Sequence, residues 1–129
     1  MRILCKIILP IVTNSPNRLL RMYWTERYKI QKEYGILLNA AIEDKHKVKT
    51  EQPRRVEIYS FRKQLLDPDN LYGSCKLLID AMQQVGLIWD DNSDYLSLSV
   101  FQEIDRHNPR TEIIIYVLDE KKLNERRDK

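Results

Sequence analysis

The chain has 129 residues, enough for one compact domain, and we expect residues 1–129 to form a single one. Its 43% apolar residues, 32% charged residues, 3 glycines and 5 prolines exclude a disordered, collagen-like or low-complexity chain. The net charge of +3 is too small to identify a partner, so the distribution of the charges matters more than their sum.

The first predicted element is a strand over residues 2–9, where the side chains alternate between two faces. This segment is apolar, but Lys6 and Pro10 interrupt it and leave too short a run for a signal peptide. No stretch approaches the ~20 apolar residues that a membrane span needs. Cys5 and Cys75 stand outside any paired motif, which excludes a disulfide framework and a thiolate zinc site. We therefore expect a cytoplasmic protein with no membrane partner.

A turn and a long helix are predicted next. Asn, Ser and Pro residues over 13–17 favour a turn. Apolar residues then recur at steps of mostly three and four over residues 20–44, which is typical of an amphipathic helix. On this helix we expect Tyr23 and Tyr34 to pack in the core.

The rest of the chain predicts a strand, a helix and two strands, at residues 54–62, about 71 or 74 to 85, 95–104 and 113–118. Gly86 is a predicted helix C-cap, residues 106–110 a hairpin loop, and about 120–129 a fraying tail. The order β-α-β-α-β-β predicts an α/β (α+β) domain with two main helices and a mixed sheet of about four strands. The continuous apolar run at 113–118 favours a central strand that is covered on both faces.

The charges are unevenly distributed along the chain. Residues 45–63 carry seven bases against two acids, and residues 64–105 carry eight acids against Lys76 alone. This pattern suits either a solvated acidic face or a cation site that a polyanion approaches across basic flanks. Seven arginines and lysines are candidate contacts to DNA phosphates: Arg18, Arg21, Arg27, Arg54, Arg55, Arg62 and Lys63.

Asp67 and Asp69 flank Pro68 where a strand gives way to a helix. In an extended backbone, residues i and i+2 point to the same side, so these two carboxylates could converge on one divalent cation. Asp and Asn residues before a helix are also ordinary caps, and this alternative remains open.

Asp90, Asp91 and Lys76 are the other candidate site residues in the acid-rich segment 64–105. Asp90-Asp91 follows the second predicted helix, and a polar turn is the alternative interpretation of this pair. Lys76 could pair with Asp80 at i+4, or it could stabilise negative charge on a phosphate. Together these residues would form a carboxylate site of the kind that Mg²⁺ prefers and that serves phosphodiester hydrolysis.

The segment from Asp67 to Asp91 resembles the signature of the RusA family of phage and prophage Holliday junction resolvases. The shared pattern is Asp-x-Asp-Asn-Leu, a lysine, an Asp-Ala pair along the helix, and Gly with an apolar triplet before Asp-Asp. Two features depart from it: five residues separate Asn70 from Lys76, and the N-terminal turn lacks a Pro-Pro-Ser run.

The resemblance implies a homodimeric, magnesium-dependent endonuclease that nicks two opposed strands of a four-way DNA junction. By the same resemblance, Asp67, Asp69 and Asp91 bind the metal with Asp90 beside them, and Lys76 supports the transition state and contacts DNA. Mn²⁺ is an alternative ion, and no organic cofactor is implied. Two other functions stay open: a nuclease that acts on flaps or forks, and a DNA-junction-binding module without catalysis.

Overall fold

The computed structural model describes residues 1–118, which form one domain around a single mixed sheet. The four strands are β1 (Arg2–Leu9), β2 (Arg54–Arg62), β3 (Leu96–Ile104) and β4 (Arg110–Val117). They lie in the order β1-β4-β2-β3, with β4 antiparallel to both of its neighbours and β2 parallel to β3. The predicted α+β class, the mixed four-stranded sheet and the central position of the last strand are confirmed. The expected covering of that strand on both faces is wrong, since its residues alternate between buried and half-buried. The predicted tail at about 120–129 lies outside the described residues.

One face of the sheet carries the core, because alternate side chains of each strand point to that face. Ile58 of β2 lies opposite Ile113 of β4, which in turn lies opposite Ile7 of β1, and all three are buried. The helices cover this face. The opposite face is more polar, and Arg55 and Glu57 of β2 form an ion pair on it with a nitrogen-to-oxygen distance of 3.0 Å.

The predicted hairpin between β3 and β4 is wrong, because β2 lies between these two strands. Residues 105–109 cross the end of β2, where the Asp105 N–H donates to the Arg62 carbonyl at 2.9 Å. The Arg110 guanidinium lies 3.8 Å from the centre of the Phe61 ring. The crossing spans about 10 Å, twice the strand spacing, which a five-residue segment can reach as easily as it can close a hairpin.

The predicted long helix begins later and is preceded by a separate short one. Helix α1 (Pro16–Leu20) starts inside the predicted turn, where the Ser15 hydroxyl accepts a hydrogen bond from the Arg18 N–H. Helix α2 (Trp24–Ala41) follows. Tyr34 is buried as expected, but Tyr23 stands outside the helix at its N-cap and is 78% exposed, so its predicted core position is wrong.

The second predicted helix is two helices, α3 (Pro68–Ser74) and α4 (Lys76–Gln84), joined at Cys75. It starts earlier than expected, since Pro68 occupies the first helical turn, where the missing N–H of a proline is tolerated. Gly86 has a φ of +84°, which confirms the predicted C-cap. Helix α4 packs against α2 and buries Leu78 and Met82 over the sheet. No helix within residues 1–118 combines the length and the apolar character needed to cross a bilayer.

Candidate functional site

Lys76, the one base in the acid-rich segment 64–105, contacts two of the acids of that segment. It is the first residue of α4, and its Nζ donates to Asp80 Oδ1 at 3.0 Å and to Asp91 Oδ2 at 3.3 Å. Asp80 is one helical turn further along α4, so the i+4 pair expected from the sequence is present. Asp91 reaches the same ammonium because the chain after α4 returns alongside the helix. The structure therefore brings together two of the predicted catalytic residues, Lys76 and Asp91.

Hydrogen bonds determine the ionisation states of Lys76 and Asp91. The Asp91 N–H donates to Asp90 Oδ1 at 2.7 Å. The interactions with Asp90 and then with Lys76 hold the pKa of Asp91 below its usual range. The hydrogen bond to Asp80, followed by that to Asp91, raises the pKa of Lys76. At neutral pH Lys76 is therefore protonated and Asp91 is ionised.

Asp67 and Asp69 lie at the start of α3, and both are exposed. Asp67 occupies the N-cap position with an extended backbone, yet its side chain makes no capping hydrogen bond. Asp69 is helical, so the expectation that an extended backbone turns both carboxylates to one side applies to Asp67 alone.

The four predicted metal ligands are two pairs in the sequence, Asp67 with Asp69 and Asp90 with Asp91, and the structure does not gather them into one cluster. Within residues 1–118, no group of three or more His, Cys, Asp or Glu side chains is arranged to hold a metal ion. Magnesium commonly binds proteins through only one or two carboxylates and keeps several waters. The donor chemistry fits such an ion, because each pair offers exposed carboxylate oxygens and the carboxylates of Asp67 and Asp69 have no hydrogen-bond or ion-pair partner among the described residues.

The predicted DNA-binding bases have very different environments. Arg54 is buried and donates to the carbonyls of His46 and Leu87, so it holds two loops together and does not reach the surface. Arg55 is half-buried and bonded to Glu57. Arg27 is half-buried on α2, and Arg21 is exposed after α1.

The other three bases, Arg18, Arg62 and Lys63, line one cavity of about 430 Å³. Sequence reasoning selected these bases individually but missed the hydroxyl residues Thr13 and Ser15, which line the same cavity. The only signal for these two residues was the predicted turn that contains them.

No protein-family model matches this chain, and a search of the curated proteins finds no match either.

Proposed function

We propose that this chain is a magnesium-dependent endonuclease of the RusA type, which resolves four-way DNA junctions by paired symmetric nicks. The observation that supports this proposal best is the contact between Lys76 and Asp91. These two residues are 15 positions apart in the sequence, and both belong to the pattern that carries the resemblance. A structural ion pair alone would need only Lys76 and Asp80.

In this proposal Asp67, Asp69 and Asp91 would hold the ion, with Asp90 beside them. Because the structure shows the carboxylates as two separate pairs, the ion would have to draw the pairs together on binding. When bound, Mg²⁺ would supply an activated water for in-line attack and would neutralise charge on the phosphate. Lys76 retains its proton at Nζ, since its pKa is raised, and donates to the phosphate oxygen on which negative charge develops. Mn²⁺ is the alternative ion, because it accepts the same oxygen ligands.

Paired cutting requires two identical sites, and we therefore propose a two-fold homodimer. Light scattering at micromolar concentration should give twice the 15.5 kDa mass of one chain. A monomeric mass would contradict paired nicking. The reducing cytoplasm is the proposed location, in keeping with the two free thiols of Cys5 and Cys75.

The decisive experiment incubates a labelled synthetic four-way junction with the purified chain, in magnesium and in chelator. We expect symmetric nicks in magnesium only. Asp69→Asn should lower the cleavage rate about 100-fold or more, because removal of one charged group from a site of this kind has effects of that order. Glu26→Gln is the control, since it removes an exposed carboxylate in the first turn of α2 that belongs to neither acidic pair.

Three other outcomes would redirect the proposal. Unchanged cleavage by the Asp69→Asn variant would remove that carboxylate from the site. Faster cleavage of flaps or forks than of junctions would favour the second nuclease function. Tight junction binding in both conditions without nicks would favour a binding module that lacks catalysis.

A further inference from the structure

A second polar site lies at the end of β2. It is distinct from the group formed by Lys76, Asp80 and Asp91, which we call the Lys76 group. The second site is the cavity of about 430 Å³ described above, between the loop before α1 and the residues that follow β2. Its polar lining consists of hydroxyl, amide and cationic side chains: Thr13, Asn14, Ser15, Arg18, Arg62, Lys63 and Gln64. No acidic residue lines it within the described part of the chain. A cavity with three cations and no carboxylate is suited to an anion.

Arg62 is the unusual member of this lining, because only 8% of its surface is exposed. One terminal nitrogen donates to Ser60 Oγ at 3.2 Å and to Thr13 Oγ1 at 3.4 Å. Its Nε is buried without a hydrogen-bond partner, and it forms no ion pair with any acid in residues 1–118. A buried charge without a counterion is strongly unfavourable, so a site of this kind favours the arrival of an anion.

The ionisable groups nearest to Arg62 do not supply that anion. Burial raises the pKa of Tyr34 to about 12 and also raises the pKa of the Cys75 thiol. Both are neutral at physiological pH. Among residues 1–118, the charge of Arg62 is therefore balanced only by neutral hydroxyl dipoles.

Arg54 provides an internal comparison at the other end of β2. It is also buried, and its Nε also lacks a partner. Its terminal nitrogen, however, donates to the backbone carbonyls of His46 and Leu87, which explains its burial as a structural role. Arg62 donates to no backbone carbonyl among the described residues.

The wall of the cavity is held in place by contacts with α3 and β4. Thr13 Oγ1 lies 2.9 Å from Ser74 Oγ, and both residues are buried. The Thr111 hydroxyl donates to the Ile11 carbonyl at 2.8 Å. These bonds hold the loop before α1 against the sheet, so the site is formed before a ligand arrives and little ordering entropy is lost on binding.

From this lining we infer that the cavity binds one backbone phosphate of a nucleic acid strand, with Arg62 as the buried donor and Arg18 and Lys63 at the rim. The hydroxyls of Thr13 and Ser15 would complete the shell, as hydroxyl groups commonly do around phosphates. That the strand is the DNA of the cleaved junction rests on the proposed function.

The cavity and the carboxylates of α3 are adjacent in the chain. Leu66 lines the cavity and Asp67 follows it directly, with about 3.8 Å between their Cα atoms. A strand held by the cavity would therefore pass close to Asp67 and Asp69. The site would position the DNA, and a phosphate other than the one attacked would occupy it.

The test is made in chelator, where no cleavage occurs. Two probes are used. Binding of inorganic phosphate is measured as a rise in melting temperature, and binding of a short single-stranded DNA is measured as a dissociation constant. The double variant Arg18→Gln/Lys63→Gln removes the exposed rim cations and leaves the buried Arg62 in place. The matched control, Lys32→Gln/Arg106→Gln, removes two exposed cations that do not line the cavity.

We expect the rim variant to lose the phosphate-induced stabilisation and to weaken DNA binding about tenfold or more, and the control to change binding less than about threefold. Arg62→Lys should retain the fold and part of the binding, since it keeps the charge but loses the planar donor set. Equal losses in both double variants would overturn the inference, since they would indicate diffuse charge attraction. Stabilisation by free phosphate without DNA binding at the cavity would overturn the nucleic acid assignment.

These results are independent of the nuclease proposal. If Asp69→Asn cleaves junctions normally while the rim variant loses binding, the cavity stands and the assignment of the carboxylate fails. If Asp69→Asn is inactive while both double variants bind alike, the nuclease proposal stands and the cavity inference fails.

Discussion

Lys76 is exposed, so its two ion pairs contribute little to stability. We expect Lys76→Met to change the free energy of unfolding by no more than about 0.5 kcal/mol and to lower junction cleavage about 100-fold. The pKa of Asp91 should rise towards its ordinary value of 3.8 in this variant, because the hydrogen bond and the charge of Lys76, which both lower it, are lost. Carbon-detected NMR titration of Asp91 measures the shift. An unchanged Asp91 pKa would show that the contact is absent in solution.

Glu57 lies on the sheet face that the helices leave uncovered. It accepts hydrogen bonds from Tyr116 at 2.6 Å and from Arg55 at 3.0 Å, and these lower its pKa from 4.5. Because the folded pKa lies below the unfolded one, the stabilisation is present above pH 4.5 and is lost as the pH falls through the folded pKa. Glu57→Gln should therefore reduce the stability difference between pH 7 and about pH 3 in urea unfolding. An identical pH profile for the variant would contradict this role.

The Lys76 group also shows how far single residues could be predicted. The contact between Lys76 and Asp80 follows from the spacing of side chains on a helix, so the sequence alone predicts it. The contact with Asp91 depends on the path of the chain after Gly86, which spacing does not determine. The prediction for Asp69 is wrong for a related reason: it requires an extended backbone, but Pro68 begins a helix that includes Asp69.

Gly73 determines how closely α1 approaches α3. A Cβ added at Gly73 would lie 2.8 Å from the Pro16 ring, which cannot rotate away. Alanine would gain up to about 1 kcal/mol of helix propensity but would lose about 1–3 kcal/mol by overpacking. We expect Gly73→Ala to lower the free energy of unfolding by about 1 kcal/mol and to weaken DNA binding at the adjacent cavity.

Gly35 in α2 is the matched control for Gly73, because the nearest atom to an added Cβ there is 3.8 Å away. Gly35→Ala should stabilise the protein by up to about 1 kcal/mol. Urea unfolding of both variants tests the pair. Equal stabilisation by the two alanines would show that α1 does not press against α3.

Each strand could be predicted from its own pattern, but the order of the strands could not. β2 and β3 alternate as half-buried strands do, and the apolar run in β4 identifies a central strand. Residues 105–109 are compatible with either a hairpin or a crossing over β2. The choice depends on the pairing of β4 with β1, which the local pattern does not encode.

The proposed DNA interface makes DNA binding dependent on salt concentration. Each phosphate contact releases counterions, so the logarithm of the binding constant falls with the logarithm of salt concentration, by about 0.9 per contact on duplex DNA. The net charge of +3 is modest, and the fold places Arg18, Arg62 and Lys63 at one cavity. The steepness of this dependence therefore reports how many local contacts form.

Junction binding in chelator, measured over a series of salt concentrations, counts those contacts directly. Because a single phosphate occupies the cavity, Arg18→Gln/Lys63→Gln should reduce the slope by up to about 0.9. Lys32→Gln/Arg106→Gln removes the same formal charge and should leave the slope nearly unchanged, because neither residue lines the cavity. The comparison separates local contact from overall charge, since a reduction caused by net charge alone would be equal in the two variants. An equal reduction would mean that the junction arms contact the basic surface without a discrete phosphate site.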